Sequence, residues 1–147
     1  MQRVLGLDIG ERRIGFAFGN IMAVGSSIVV PGGFLEVFND QQAVEQVKEL
    51  AEEEGVDTLV VGVPLINNEE NPQSKKIRKI AQAIHEALPD MPMFFWDESL
   101  TSVAAGQHLV DAELKHSGKS KRGRVDAVAA SLILQGFLDS RRFYPGI

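Results

Sequence analysis

Four carboxylates stand where this sequence could do chemistry. Asp8 ends the apolar run Val4-Leu5-Gly6-Leu7, and Asp97 with Glu98 ends a second, Met93-Phe94-Phe95-Trp96. Asp126 opens the small-residue string Asp126-Ala127-Val128-Ala129-Ala130. An ionised carboxylate among residues that belong inside a sheet loses its hydration, which is costly unless a cation or a set of donors replaces the water. The chain has no cysteine, and His85, His108 and His116 have no partner at ligand spacing. Converging acids without thiolates suit a hard, oxygen-preferring cation such as Mg²⁺ or Mn²⁺ better than zinc. Two such ions about 3.5 to 4 Å apart have a standard use on phosphodiesters: one lowers the pKa of a water, the other stabilises the leaving oxygen.

Each acid taken alone has a plainer reading. Asp126 could complement the positive end of a helix, worth about 0.3 to 1 kcal/mol. Asp97 or Glu98 could cap the helix start Ser99-Leu100-Thr101-Ser102. Asp8 could pair with Arg12 or Arg13. Their placement together favours chemistry, because ligands and catalytic groups gather where parallel strands end in loops. Side chains alternate along a strand, so only one of Asp97 and Glu98 can face Asp8. Gly6, Gly10 and Gly15 leave room beside Asp8 for another backbone or a phosphate.

The elements that must position these acids follow from periodicity. Strand-length apolar runs occur at Val4–Leu7, Ile14–Phe18, Thr58–Val63 and Met93–Trp96, with weaker ones at Ser27–Val30 and Phe34–Phe38. Asn39 or Asp40 can cap a helix through Glu54, with Val44, Val47, Leu50 and Ala51 inward and Gly55 as its stop. Asn71 followed by Pro72 starts the next, with Ile77, Ile80, Ala81 and Ile84 inward and Pro89 closing it. A third runs from Thr101 or Ser102 to about Leu114. The last opens near Val125, with Asp126 in its first turn and Val128, Ala129, Leu132, Ile133 and Gly136 on one face. Hairpin-like strands first and crossover units second predict a mixed α/β sheet, antiparallel and then parallel, with helices on both faces.

At 147 residues the chain is expected to form one domain with one ordinary core. The lack of cysteine, of a signal-like N-terminus and of a bilayer-length apolar run predicts a soluble, cytoplasmic protein with no membrane partner. The net charge of -5 speaks against a polyanionic partner only on average. Asp40 to Asp57 holds seven acids and one base, which leaves the rest of the chain at +1. Elsewhere the bases cluster at Arg12 and Arg13, at Lys75, Lys76, Arg78 and Lys79, and at Lys115, Lys119, Lys121, Arg122 and Arg124. The span from Lys115 to Arg124, broken by Ser117-Gly118-Lys119-Ser120, reads as a basic loop.

These residues resemble the RuvX/YqgF family of RNase H-like nucleases, described both as Holliday junction resolvases and as pre-16S rRNA processing nucleases. The resemblance covers nearly the whole chain in four ordered blocks: Leu5-Gly6-Leu7-Asp8-Ile9-Gly10 with Arg13-Ile14-Gly15; Val61-Gly62-Val63-Pro64-Leu65; Trp96-Asp97-Glu98-Ser99-Leu100-Thr101-Ser102; and Asp126 through Gln135. It implies an RNase H-like α/β fold over residues 1–147. Its mixed sheet would have five strands, the first three antiparallel and the others parallel, flanked by helices on both faces. It matches Asp8, Glu98 and Asp126 to the family's metal-binding acids, with Asp97 as a neighbour that could join them, and implies one or two Mg²⁺ or Mn²⁺ ions. Two stretches depart from the family pattern. Ile66-Asn67-Asn68-Glu69-Glu70-Asn71-Pro72 replaces a glycine-containing turn and adds two acids near the expected substrate channel, and Met22–Val37 is longer and looser than the usual hairpin.

The resulting expectation is a metal-dependent endonuclease. Asp8, Glu98 and Asp126 would hold the metal, and Arg13, Lys76, Lys79, Lys119, Lys121, Arg122 and Arg124 would contact backbone phosphates. Precursor rRNA and branched DNA are both compatible partners, and monomer and homodimer both remain open. Two rival readings are a non-catalytic assembly factor that binds ribosomal RNA, and a relative of phosphate-binding ATPases or sugar kinases. The second is disfavoured because such enzymes need two lobes.

Overall fold

A computed structural model describes residues 3–21, 27–98 and 121–143, and of residues 121–124 and 141–143 the backbone alone. In chain order the elements are β1 (Arg3–Ile9), β2 (Arg13–Ile21), β3 (Ser27–Glu36), α1 (Asp40–Glu53), β4 (Thr58–Val63), α2 (Pro72–Ala87), β5 (Met93–Asp97) and α3 (Lys121–Phe143). The strands form one five-stranded sheet in the order β3-β2-β1-β4-β5. β1 pairs antiparallel with β2, and β2 with β3, whereas β1–β4 and β4–β5 are parallel. The mixed sheet, its antiparallel-then-parallel order and helices on both faces are as the sequence predicts.

The period-2 alternation of β1 divides the interior in two. Leu5, Leu7 and Ile9 join Ile14, Leu59, Val61 and Val63 under α1 and α2, which contribute Ala43, Val47, Ala51, Ile77, Ala81 and Ile84. Val4, Ala17 and Val60 face the other way, under Ala130, Ile133, Leu134, Phe137 and Leu138 of α3. β4 is buried at every position, as a parallel strand covered on both faces must be. On the α3 side the sheet is paved with small residues, and this sets how closely the helix lies. A Cβ on Gly6 would stand 2.9 Å from Leu134 Cβ and 3.2 Å from the Ala130 carbonyl oxygen.

Capping fixes where the helices begin. Asn39 accepts from the Gln42 amide at the start of α1. That helix gives way at Gly55, whose φ of 63° is a left-handed conformation open to glycine. Asn71 caps α2 in a reciprocal box with Ser74, and Pro72 occupies the first turn, where its missing N–H costs nothing.

Three expectations are corrected. The stretch Ser27–Val30 and the first three residues of Phe34–Phe38 are parts of one strand, β3, which continues through Pro31, Gly32 and Gly33 and ends at Glu36, before Val37 and Phe38. Pro31 is tolerated because β3 is an edge strand, and the register shifts between Phe16 and Ala17 opposite it. The last helix begins at Lys121 rather than near Val125, so Lys121–Arg124 is helical backbone and Asp126 lies beyond the first turn. Its sheet-facing stripe is also rotated from the expected one, because α3 is apolar on more than one side and packing selects the face. The helix expected at Thr101–Leu114, with His108, His116 and Lys119, lies outside the described residues.

Candidate functional site

Asp8 is the penultimate residue of β1 and shares the α3 side of the sheet with Val4 and Gly6. Glu98 directly follows β5 and reaches the same side. Trp96 packs on the α3 side against Phe137, while Phe95 lies under the Arg78 guanidinium of α2 at 4.6 Å. The alternation that predicts only one acid facing Asp8 therefore selects Glu98 and puts Asp97 on the α2 side.

β4 lies between β1 and β5. Asp8 and Glu98 therefore start two strand spacings apart, about 10 Å. Glu98 bridges that gap over Gly62 of β4. A Cβ on Gly62 would stand 2.8 Å from Glu98 Oε1. The two carboxyl groups share a hydrogen bond, and Oε1 of Glu98 is buried with no hydrogen-bond partner. Burial first, then the Asp8 charge and that hydrogen bond, push the Glu98 carboxyl up to about 7. Burial and the nearby Asp126 charge also raise Asp8, whereas the hydrogen bond from Glu98 works the other way. Both carboxyls are thus held toward the neutral form by burial and by each other or Asp126.

Asp126 approaches through Gly15, the cross-strand partner of Asp8. The Asp126 backbone presses so closely on Gly15 that a Cβ there would overlap its carbonyl group and stand 2.9 Å from its Cβ. The room left by Gly6 and Gly15 therefore receives α3, not a phosphate. Asp126 Oδ2 accepts a 2.6 Å bond from Arg13 Nε, and both side chains are partly buried. Arg13 therefore pairs with Asp126 rather than Asp8. Among the described residues no three His, Cys, Asp or Glu side chains form a cluster that could hold a metal ion.

The donor set nevertheless fits a hard divalent cation. Two acids crowd together at the cost of raised pKa values, and one buried carboxyl oxygen lacks any donor, which is what an oxygen-liking cation would satisfy.

The expected phosphate contacts are spread more widely. Lys76 and Lys79 stand on α2, in the layer opposite the carboxylates, and both are exposed. Lys76 meets Glu11 at 3.3 Å beside a cleft of about 680 Å³ floored by Ile9, Ile77 and Ile80. The side chains of Lys121, Arg122 and Arg124 lie outside the described residues. The two acids of the turn after β4, Glu69 and Glu70, are partly accounted for as well. Ile66–Glu69 closes a tight turn in which Asn67 and Asn68 have φ of 52° and 64°. Asparagine tolerates that left-handed conformation in place of glycine. Glu70 turns onto α2, where the Ser74 hydroxyl and then Arg78 hold its carboxyl below the usual range.

Sequence reasoning passed over two elements of this site. Gly62 interrupts an otherwise β-branched and leucine strand, which is the usual mark of a close approach. The Arg13–Asp126 pair joins residues 113 apart and has no local signature.

A sequence model of the RuvX family, described as Holliday junction resolvase, matches residues 2–140. A protein of Chloroflexus aggregans provisionally named pre-16S rRNA nuclease is 41% identical over 142 residues, covering 96% of both chains. Its counterpart in Chloroflexus aurantiacus is 39% identical over 145 residues, covering 98% of this chain and 91% of that one. Among solved structures, Thermus thermophilus RuvC in complex with a Holliday junction substrate superposes with a TM-score of 0.63 at 12% identity, covering 97% of this chain and 98% of that one. Fowlpox virus resolvase with Holliday junction DNA gives 0.65 at 11% identity, covering 95% and 98%. Those two likenesses concern the fold, whereas the profile match and the close relatives extend over almost the whole sequence, so the chain belongs to the RuvX family.

Proposed function

We propose that this protein is a metal-dependent endonuclease hydrolysing phosphodiester bonds in nucleic acid, with Asp8, Glu98 and Asp126 as its metal-holding acids. The observation that carries the reading is the Asp8–Glu98 contact across Gly62, with a buried carboxyl oxygen left unpartnered. A bare hydrophobic core has no use for such a pair, and crowding two carboxylates raises their pKa values unless a cation binds. Bound Mg²⁺ or Mn²⁺ would supply an activated water and charge neutralisation at phosphorus. The chain's own residues then have separable tasks. Asp8 and Glu98 give up their shared proton to become donors, Asp126 closes the site from α3, and Asp97 adds charge from the opposite side. Arg13, Lys76, Lys79, Lys119, Lys121, Arg122 and Arg124 would hold backbone phosphates.

Precursor 16S rRNA is the substrate favoured by relatives of about 40% identity, 39% and 41% in the two Chloroflexus proteins, through the name they carry. Holliday junction DNA is the second reading, favoured by the family description. The purified protein, given Mg²⁺ or Mn²⁺, is tested on a precursor 16S rRNA 5′ end and a four-way DNA junction in parallel. Cleavage of one and its loss in Asp8→Asn support the assignment; full metal-dependent cleavage by Asp8→Asn overturns it. Tight RNA binding with no cleavage of any nucleic acid would identify an assembly factor instead.

A further inference from the structure

We propose that Arg13 gates the third acid: without nucleic acid it holds Asp126, and a backbone phosphate that draws the guanidinium away frees Asp126 to complete the cation site with Asp8 and Glu98. The inference rests on the metal-dependent reading above and concerns how that site is assembled. Three observations carry it. The Arg13 Nε to Asp126 Oδ2 bond, at 2.6 Å, is a charge-assisted pair occupying the acid that the other two need. The backbone of Asp126 is already in place, wedged against Gly15 directly across from Asp8, so only its side chain has to turn. Among the described residues Asp126 is not part of any three-acid cluster able to hold a metal ion, although its charge is felt at Asp8.

Arg13 can change partner without unfolding anything. It is the first residue of β2, and its side chain is 32% exposed. Its guanidinium carries four N–H donors besides Nε. A phosphate accepts such a fork as readily as a carboxylate does. Asp126, released by the guanidinium, would then join Asp8 and Glu98 as a donor for a divalent cation, so the site would charge with metal chiefly when substrate is present. Arg13 is a positioning residue in this account, acting through Asp126.

The prediction is thermodynamic coupling between cation and nucleic acid, read without any turnover. Mn²⁺ is titrated calorimetrically into the full chain, with and without a single-stranded RNA oligonucleotide protected by phosphorothioate linkages. In the wild type the oligonucleotide should tighten Mn²⁺ about tenfold, within the range usual for linked sites. In Arg13→Gln, Mn²⁺ should bind tightly already, and the oligonucleotide should add no more than about twofold. Removing a positive charge alone would tighten Mn²⁺ by one factor in both conditions and leave the coupling intact. Equal coupling in wild type and Arg13→Gln therefore overturns the gate. Should Arg13→Gln not fold, Arg13→Lys serves, with reduced coupling expected and wild-type coupling overturning the idea. Asp8→Asn separates the two levels: if it binds Mn²⁺ like the wild type, the cation site itself is misassigned. If it abolishes binding while Arg13→Gln leaves the coupling intact, only the gate is lost.

Discussion

Glu98 meets Asp8 by passing over Gly62, the residue of β4 at which a side chain would block the crossing. Two acids on strands that are not neighbours are joined because the strand between them offers bare backbone. The sheet order alone would leave them about 10 Å apart.

Gly62→Ala should therefore damage the site more than the fold. The new methyl would stand 2.8 Å from Glu98 Oε1 and also crowd Ile133. Overpacking of this kind costs about 1 to 3 kcal/mol. Mn²⁺ affinity by calorimetry should fall tenfold or more, about 1.4 kcal/mol. A variant with wild-type Mn²⁺ affinity and a lowered Tm would show that Gly62 serves packing alone.

Glu98 should also make the metal-free protein less stable as the pH rises. Its carboxyl is raised from 4.5 to about 7, so between those values the folded protein holds a proton that the unfolded chain has released. Stability from this group is full below pH about 4.5, falls through pH about 7 and is flat above it. The raised Asp8 acts in the same direction. Glu98→Gln removes the titration. Relative to wild type it should gain on the order of 1 kcal/mol by pH 8, after discounting for the solvent that reaches the group. Calorimetric melting in EDTA from pH 4.5 to 8 checks this, and parallel curves for the two proteins would refute it.

Gly15→Ala should unfold the α3 side rather than tune it. The added Cβ would overlap the Asp126 backbone, and no flexible side chain is there to yield. The expected loss is about 3 kcal/mol or more, beyond ordinary overpacking because the obstacle is main chain. Urea unfolding measures it, and a change below about 1 kcal/mol, the low end of ordinary overpacking, would mean that α3 sits less firmly on β2 than the described contacts require.

Neutralising Lys121 and Arg122 together should weaken nucleic-acid binding and lower the slope of log K against log salt by about 1 per residue. Mn²⁺ affinity should be unchanged, since neither residue is among the acids. Filter binding at several salt concentrations gives the slope, and an unaltered slope would exclude this turn of α3 as a phosphate contact.

Much of this architecture is written in local sequence. The Asn39 and Asn71 caps, the Gly55 stop, the alternation that sends Glu98 and Asp97 to opposite sides, and the antiparallel-then-parallel order all follow from short-range rules. The start of α3 does not, because Lys121-Arg122-Gly123-Arg124 has no apolar periodicity and a glycine within it, so its backbone reads as a loop. Nor does the continuity of β3 through Pro31, which only its place at the sheet edge permits. The sequence by itself determined which residues could be acids of a metal site, since residue type and the burial pattern of the strands are local properties. Only the tertiary structure decided how they meet. Gly62 opening a path across β4, α3 pressing Asp126 onto Gly15, and Arg13 holding Asp126 are contacts between residues far apart in the chain, fixed by packing rather than by any neighbouring residue.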